Sequence, residues 1–211
     1  MKYKSKTNLL EELKSLPYFT KERIYQLGKN DKIYNLKNST LDTYISRYLK
    51  NREIIALKRG MYISNNFYHK NSDDLSYIYF LANIIRKPSY ISSWTALEYY
   101  GLSTEVINST ISVTTKVTRN YETKIGNFTY KSIKNDLFTN FSLINKKFNF
   151  YIAPPSKALF DMLYFKTRQY KDVKYHDIDL LIKELRVDIK SMDKKEVKKF
   201  NLMIKDYYDY G

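Results

Sequence analysis

The chain has no cysteine and, among its 211 residues, has two histidines, five glycines and four prolines. The missing thiols exclude disulfides, cysteine-ligated zinc, iron–sulfur clusters and cysteine nucleophiles, and they favour a reducing cytoplasm as the location. The two histidines, His69 and His176, are too few for an all-histidine metal site. We therefore expect no metal ion and no other cofactor.

Long apolar segments are also missing. The longest apolar-rich stretch, residues 75–85, contains Ser76 and Asn83 and is far shorter than the roughly 20 residues that cross a bilayer. The first six residues are basic and lead directly into leucines and an acidic pair, without the apolar centre of a signal peptide. These features predict a soluble, cytoplasmic protein with no membrane partner.

Positive charge is abundant and unevenly distributed. The chain has 37 Lys and Arg against 22 Asp and Glu, a net charge of +15. Residues 1–72 hold 15 basic and 6 acidic side chains, so one third of the chain carries most of the excess. Such an excess favours a polyanionic partner such as nucleic acid, although lysine also serves as a common solubilising residue.

Three short helices are predicted in this basic third. Asn8 and Glu11 form a capping box before leucines at helical spacing, and Pro17 ends that pattern. Thr20 is the expected cap of the second helix, and Gly28 is expected to end it in the left-handed conformation. Ser39 is the expected cap of the third helix.

The third predicted helix has two chemically different faces. At about 100° per residue, one face is apolar and consists of Leu41, Tyr44, Ile45, Tyr48 and Leu49. The other face has two cations, three hydroxyls, an amide and no carboxylate: Thr40, Thr43, Ser46, Arg47, Lys50 and Asn51. Because ordinary solvated faces mix both signs of charge, this face is a candidate surface for DNA.

A basic hairpin is predicted to follow. Residues 54–57 and 61–63 resemble strands, and Lys58, Arg59 and Gly60 lie between them. Three helices followed by a basic hairpin are typical of a winged helix-turn-helix, whose third helix enters the major groove. We therefore predict a winged helix-turn-helix DNA-binding domain over residues 1–70, with a small helical domain of basic surface as the alternative.

The predicted DNA contacts come from both elements. Arg47 is the expected base reader because its planar fork matches the two acceptors of guanine, and the hairpin cations are expected at phosphates, which position the protein. The expected partner is double-stranded operator DNA with an inverted repeat, bound by two copies of a chain that is a monomer or weak dimer in solution. The complete set of predicted DNA-binding residues is Ser39, Thr40, Thr43, Arg47, Lys50, Lys58 and Arg59.

The rest of the chain predicts a second, mixed domain. The polar residues 65–72 are the expected connector, and residues 73–211 are the expected α+β domain. Alternating residues from Thr110 predict a strand, and turn residues predict hairpins over 122–133 and 141–153. Helices are predicted to start at Asp73 and Asp74, at Ser92 or Ser93 and at Pro154, with two more over residues 177–186 and 193–208. The predicted fold class is α+β.

Three blocks resemble one family in the order that the family has them. They are Arg59–Tyr62, Tyr90–Leu102 and Ala153–Asp161, with the sequences RGMY, YISSWTALEYYGL and APPSKALFD. Together they resemble the AbiEi-type antitoxins of bacterial abortive-infection, type IV toxin–antitoxin systems. Thr95 stands where that family commonly has serine, and it keeps the hydroxyl.

The resemblance implies a function as well as a fold. It implies an N-terminal winged helix that represses its own operon and a C-terminal domain that opposes a nucleotidyltransferase toxin without a stable complex. We therefore expect a DNA-binding autorepressor and antitoxin, which is not an enzyme. Three alternatives stay open: a solitary winged-helix regulator, a metal-dependent nuclease or nucleotidyltransferase, and a protein that binds its partner directly through the second domain.

Several residues could carry chemistry, but each has a structural interpretation that we favour. Lys157 and Asp161, one helical turn apart, predict an exposed or half-buried ion pair. Asp177 and Asp179 beside His176 suit the start of a helix, where negative charge is favoured. Glu122 and Lys124 have the spacing of half a nuclease site, but residues 75–135 contain no aspartate to complete it. No catalytic or metal-ligating residue is therefore predicted.

Overall fold

The chain folds as a mixed α+β protein. A computed structural model describes residues 9–29, 35–103, 108–170, 175–184, 187 and 189–208. Contacts divide the chain into two compact units, the first comprising Met1–Leu81 with Tyr121–Ile125 and the second Ala82–Asn120 with Gly126–Gly211. No helix in the described ranges has both the length and the apolar character needed to cross a membrane.

The first unit alternates short helices with the strands of one small sheet. Helix α1 covers residues 9–14. It is followed by β1 (Phe19–Thr20), α2 (Lys21–Gly28), α3 (Asn38–Lys50), β2 (Ile54–Lys58), β3 (Met61–Ser64) and α4 (Asn65–Asn71). The sheet has the order β1-β3-β2, and both pairings are antiparallel. Helix α5 (Leu75–Ile85) follows, and the division between the two units falls inside it.

One apolar core holds the helices of the first unit against its sheet. Leucines of α1, Ile24 of α2 and the apolar face of α3 pack with residues of all three strands. The buried cluster comprises Leu9, Leu10, Leu13, Phe19, Ile24, Leu41, Tyr44, Ile45, Tyr48, Ile54 and Tyr62. The apolar spacing predicted for α1 and α3 therefore corresponds to buried faces, while the predicted cap Asn8 lies outside the described residues.

Thr20 caps α2 as the sequence predicts, but Gly28 has a different role. The Thr20 side chain accepts a hydrogen bond from the Arg23 amide, at 3.3 Å. Gly28 is the last residue of α2 and does not have a positive φ. A Cβ at Gly28 would overlap the Leu41 side chain, whose Cδ1 would lie 2.8 Å away. The glycine is therefore needed for close packing of α2 on α3, not for a left-handed helix end.

The expected polar connector at residues 65–72 is largely helix. Residues Asn65–Asn71 form α4, and the Ser64 side chain accepts a hydrogen bond from the Phe67 amide at its start. Phe67 packs against Tyr77 of α5, with 5.5 Å between ring centroids. Asn71 is buried and donates to the Phe67 carbonyl, at 2.7 Å. The polar composition of this segment predicted a linker. It did not show that Ser64 would cap a helix or that Phe67 would pack against α5.

A mixed sheet has the strand order β6-β7-β5-β4-β9-β8, and all of its strands except β6 lie wholly in the second unit. The strands are β4 (Tyr90–Ile91), β5 (Ser109–Thr114), β6 (Arg119–Thr123), β7 (Gly126–Ser132), β8 (Ser142–Ile144) and β9 (Phe150–Ile152). The pairings β4–β9 and β5–β7 are parallel, whereas β4–β5 and β8–β9 are antiparallel. The hairpin predicted over residues 141–153 is confirmed by the β8–β9 pairing.

Four α-helices in the described ranges accompany this sheet. They are α6 (Ser93–Tyr99), α7 (Pro155–Thr167), α8 (Tyr175–Glu184) and α9 (Lys194–Tyr208). Helix α7 begins at Pro155, where proline is favourable because its missing amide would have no helical partner. Short 3-10 helices at Asn135–Leu137 and Ile189–Ser191 complete the described elements. The second unit contains the α+β mixture that the sequence predicts.

Candidate nucleic-acid interface

Helix α3 presents the predicted polar face to solvent. Its apolar residues Leu41, Tyr44, Ile45 and Tyr48 are buried, which fixes the rotation of the helix about its axis. On the opposite side Thr43, Ser46, Arg47 and Lys50 are exposed, and Thr40 is half-buried. The structure therefore places the α3 residues predicted from the sequence on one accessible face.

The start of α3 differs from the prediction. The helix begins at Asn38, and Lys37 occupies the capping position without a side-chain hydrogen bond. Ser39 is an exposed residue of the first turn, not the cap. Its carbonyl accepts a hydrogen bond from the Thr43 hydroxyl, at 2.9 Å. The Thr43 oxygen keeps acceptor capacity, whereas its proton is used within the helix.

Asp42 is neutralised from a neighbouring helix. Lys21 of α2 places its Nζ 2.8 Å from Asp42 Oδ1, and the Tyr25 hydroxyl donates to the same oxygen at 2.6 Å. Hydrogen bonds from Lys21 and Tyr25 lower the pKa of Asp42, and the bond to Asp42 raises the pKa of Lys21. The carboxylate of α3 is therefore engaged with α2 and does not neutralise the cations of the polar face.

Arg47 and Lys50 are the uncompensated cations of α3. Both side chains are exposed. In the described ranges of the chain, neither forms an ion pair with a carboxylate. Both also lie in the last turn of the helix, where positive charge complements the helix dipole. They are available to a polyanion approaching this face.

The predicted basic hairpin is present as β2 and β3. The register pairs Lys58 with Met61 across a bulge after Ala56, and Gly60 adopts a φ of +77 in the turn, a conformation that glycine accepts readily. Arg59 at the turn is exposed, and Lys58 is half-buried. The Gly60 carbonyl accepts a hydrogen bond from the Lys21 amide, at 2.8 Å. This bond ties the hairpin turn to the start of α2.

A further exposed cation lies at the end of α3 and is absent from the predicted set. Arg52 follows the helix with a φ of +58 and is exposed. The sequence contains one indication of this geometry, namely that α3 gives way to a strand within four residues without a glycine. A helix end followed so quickly by a strand needs a sharp reversal of the chain, which a left-handed residue provides.

Lys157 and Asp161 form a fully buried ion pair, so the exposed or half-buried pair predicted from the sequence is wrong. Their Nζ–Oδ1 distance is 2.7 Å, and the side chains are 2% and 0% exposed. Asp161 Oδ2 accepts from Tyr90 at 2.9 Å and from Ser92 at 2.7 Å. Lys157 also donates to the Leu137 carbonyl at 2.8 Å. Each charge therefore has more than one partner. Because Asp161 lies in α7 and Tyr90 lies in β4, the cluster also connects these two elements.

The protonation chemistry of this cluster is dominated by burial. Burial raises the pKa of Asp161, while the ammonium of Lys157 and the hydroxyls of Ser92 and Tyr90 oppose that rise. Burial also raises the pKa of Tyr90, and the neighbouring Asp161 adds to the effect. Ser92 precedes α6 without capping it through a side-chain hydrogen bond, and its hydroxyl donates to Asp161.

The other residues considered for catalysis are not gathered into a site. Glu122 and Lys124 are both exposed, on β6 and in the turn after it. The side chains of His176, Asp177 and Asp179 in α8 lie outside the described residues. Among the side chains that the structure describes, no three His, Asp or Glu residues form a group that could hold a metal ion.

Comparison with known proteins does not place the chain in a family. No family model matches the sequence, and no curated protein matches it either.

Proposed function

We propose that the first unit is a winged helix-turn-helix that binds double-stranded operator DNA. In this proposal α3 lies in the major groove, and the β2–β3 hairpin is the wing beside it. The order α1, β1, α2, α3, β2, β3 and the sheet order β1-β3-β2 support this assignment. So does the concentration of positive charge in residues 1–72.

One observation carries the proposal. The exposed face of α3 presents Arg47 and Lys50, while the acid of the same helix is paired with Lys21 of α2. A surface with unpaired cations favours phosphates and base edges, because both groups are rich in hydrogen-bond acceptors. The common core beneath α3 and β2 keeps this face in a fixed relation to the strand that leads into the wing.

The two cationic elements have different tasks. Arg47 reads a base, with Thr40 and Thr43 on the same face. Lys50, Lys58 and Arg59 bind phosphates and position the helix without reading sequence. Exposed Ser39, in the first turn of α3, contributes a further hydroxyl near the groove.

Salt dependence with a matched control tests this division. The probe is a fluorescent duplex from the region upstream of the gene, and a scrambled duplex of equal length is the comparison. Each neutralised phosphate contributes about 0.9 to the slope of log affinity against log salt, so Arg59→Ala should lower that slope by about one. The control is Lys195→Ala, because Lys195 is an exposed lysine of α9 and its loss removes the same charge.

The outcomes distinguish the loss of a cation that contacts DNA from a general decrease in the positive charge of the protein. The proposal predicts an unchanged slope for Lys195→Ala and preference for the upstream duplex. Equal effects of the two substitutions, or no binding to either duplex at low salt, would overturn it. An inverted repeat should bind two copies, which the mass of the complex in analytical ultracentrifugation measures directly.

We further propose that the DNA-binding chain is the antitoxin and autorepressor of a type IV system. The ordered blocks that resemble AbiEi-type antitoxins support this role, and two of them lie in the second unit, in segments 90–102 and 153–161. Co-expression with a nucleotidyltransferase encoded beside the gene should relieve growth arrest without stable co-purification. Stoichiometric co-purification with no DNA binding would instead favour direct inhibition through the second unit, and the absence of such a neighbouring gene would favour a solitary regulator.

A further inference from the structure

The turn after α3 has the hydrogen bonds of a glycine-type helix end, but arginine occupies the glycine position. The Arg52 amide donates to the Leu49 carbonyl at 3.1 Å, and the Glu53 amide donates to the Tyr48 carbonyl at 2.8 Å. This pair of bonds defines the Schellman motif, whose left-handed residue is usually glycine. Here that residue is Arg52, with a φ of +58.

The geometry of the helix end does not require an arginine. A side chain with a Cβ is disfavoured in the left-handed region, and glycine adopts it freely. Positive charge at a helix C-terminus is favourable, but Arg47 and Lys50 already supply it in the last turn of α3. Arg52 therefore has a strained backbone conformation, and its charge adds little to the stability of the helix end.

The guanidinium of Arg52 is accessible. Lys50, Asn51 and Arg52 are consecutive exposed residues at the end of α3. Arg52 has no carboxylate partner in the described ranges. The adjacent Glu53 forms no ion pair with Arg52, and its Oε2 is buried without a hydrogen-bond partner. The turn therefore presents a further exposed cation two residues beyond the end of α3.

We infer that Arg52 is a phosphate-binding residue of the DNA interface, presented by the left-handed turn at the C-terminal end of α3. This inference rests on the proposed DNA-binding function. At the end of the helix, Arg52 lies beyond the residues that would read bases and meets the sugar–phosphate backbone beside the groove. Guanidinium suits this contact because its planar fork donates two parallel hydrogen bonds to phosphate oxygens.

Two neutral substitutions separate the charge from the backbone conformation. Glycine and asparagine both accept the left-handed conformation, so Arg52→Gly and Arg52→Asn remove the charge and keep the turn. Both variants should weaken binding on specific and scrambled duplexes by the same factor. Between roughly 50 and 200 mM salt, each variant should lose about 3.5-fold less affinity than the wild type, the effect of one phosphate contact. Arg52→Lys should keep the wild-type slope.

Stability and DNA binding should change in opposite directions. Arg52→Gly should melt at or above the wild-type temperature, because glycine relieves the left-handed strain. Weaker binding by a protein that is at least as stable would show that the arginine serves the interface. A wild-type salt slope in both neutral variants would overturn the inference even if Arg59→Ala lowers the slope as proposed. Failure of the wild type to bind any duplex would instead overturn the proposed function itself.

Discussion

Lys21 of α2 and Asp42 of α3 form an ion pair with an Nζ–Oδ1 distance of 2.8 Å, and this pair determines the charge pattern of the candidate interface. Both residues lie at the surface and are 39% and 48% exposed. The Lys21 amide also donates to the Gly60 carbonyl in the hairpin turn. One residue therefore connects α2 to the acid of α3 through its side chain and to the hairpin through its backbone.

Asp42→Asn should show how pH affects this pair. The pKa of Asp42 in the folded protein lies below its usual value of 3.8, with hydrogen bonds from Lys21 and Tyr25 as the main causes. A lowered folded-state pKa contributes stability at higher pH, and that stability is lost as the carboxylate protonates. The wild type should melt above Asp42→Asn near neutral pH, and the difference should shrink as the pH falls below 3.8.

Differential scanning calorimetry between neutral and acidic pH measures this difference. Glu11→Gln is a matched control, because it breaks an exposed lysine–glutamate pair within one helix at the surface. A melting difference for Asp42→Asn that stays constant across the pH range would contradict the assignment of the pair.

Arg47→Ala should relax base discrimination rather than weaken all binding. A bidentate contact between arginine and guanine contributes about 1–3 kcal/mol of discrimination at one base pair. The measurement uses duplexes in which each base pair is replaced in turn. At the base pair that Arg47 reads in each half-site, Arg47→Ala should bind the original and the replaced duplex with nearly equal affinity. The comparison variant is Arg59→Ala, whose loss should be uniform across sequences. Uniform weakening by Arg47→Ala as well would reassign Arg47 to a phosphate.

Gly28→Ala should destabilise the first unit although alanine is the better helix former. Alanine gains about 1 kcal/mol in helix propensity, whereas overpacking a tight core typically costs about 1–3 kcal/mol. Leu41 is fully buried and cannot move into solvent to accommodate the new methyl. We expect a net loss of up to about 2 kcal/mol in the free energy of unfolding.

A double-mutant cycle with Leu41→Val tests whether that steric contact is the cause. Valine removes part of the side chain that the new Cβ would meet, so the two changes should be less costly together than their sum. Additive losses in chemical denaturation would show that Gly28 matters for a different reason.

Asp161→Ala should be among the most damaging single substitutions in the second unit. It leaves the ammonium of Lys157 buried without its carboxylate partner, and breaking a buried pair in this way costs about 3–5 kcal/mol. The paired change Lys157→Met with Asp161→Leu removes both charges and should be much less costly. Denaturant titration compares the two proteins, and equal losses would show that burial of the charges is not the dominant effect.

The helical periodicity of α3 was sufficient to predict its buried and exposed faces. Leu41, Tyr44, Ile45 and Tyr48 are buried as predicted, because residues at this spacing necessarily share one side of a helix. The Thr20 cap of α2 could be predicted for a similar reason, since its hydrogen bond spans three residues. The hairpin around Gly60 was also accessible from local turn chemistry.

Features that depend on distant residues were mispredicted or missed. Gly28 looked like a helix terminator because glycine often is one, but Leu41, thirteen positions later, determines its role. Residues 65–71 looked like a linker because the packing of Phe67 on Tyr77 cannot be seen in composition. The strain at Arg52 arises from where α3 ends relative to β2, which local propensity does not specify.

The sequence by itself determined the helical periodicity of α1 and α3, the cap of α2, the basic character of the first third and the acid-free face of α3. Tertiary structure alone decided that Lys21 neutralises Asp42, that Lys157 and Asp161 are buried together and that Arg52 stands exposed in a left-handed turn. The physical reason is the separation along the chain of the residues that interact. Periodicity and capping act within a few residues of the chain, whereas burial and the pairing of charges between elements depend on neighbours that folding brings together.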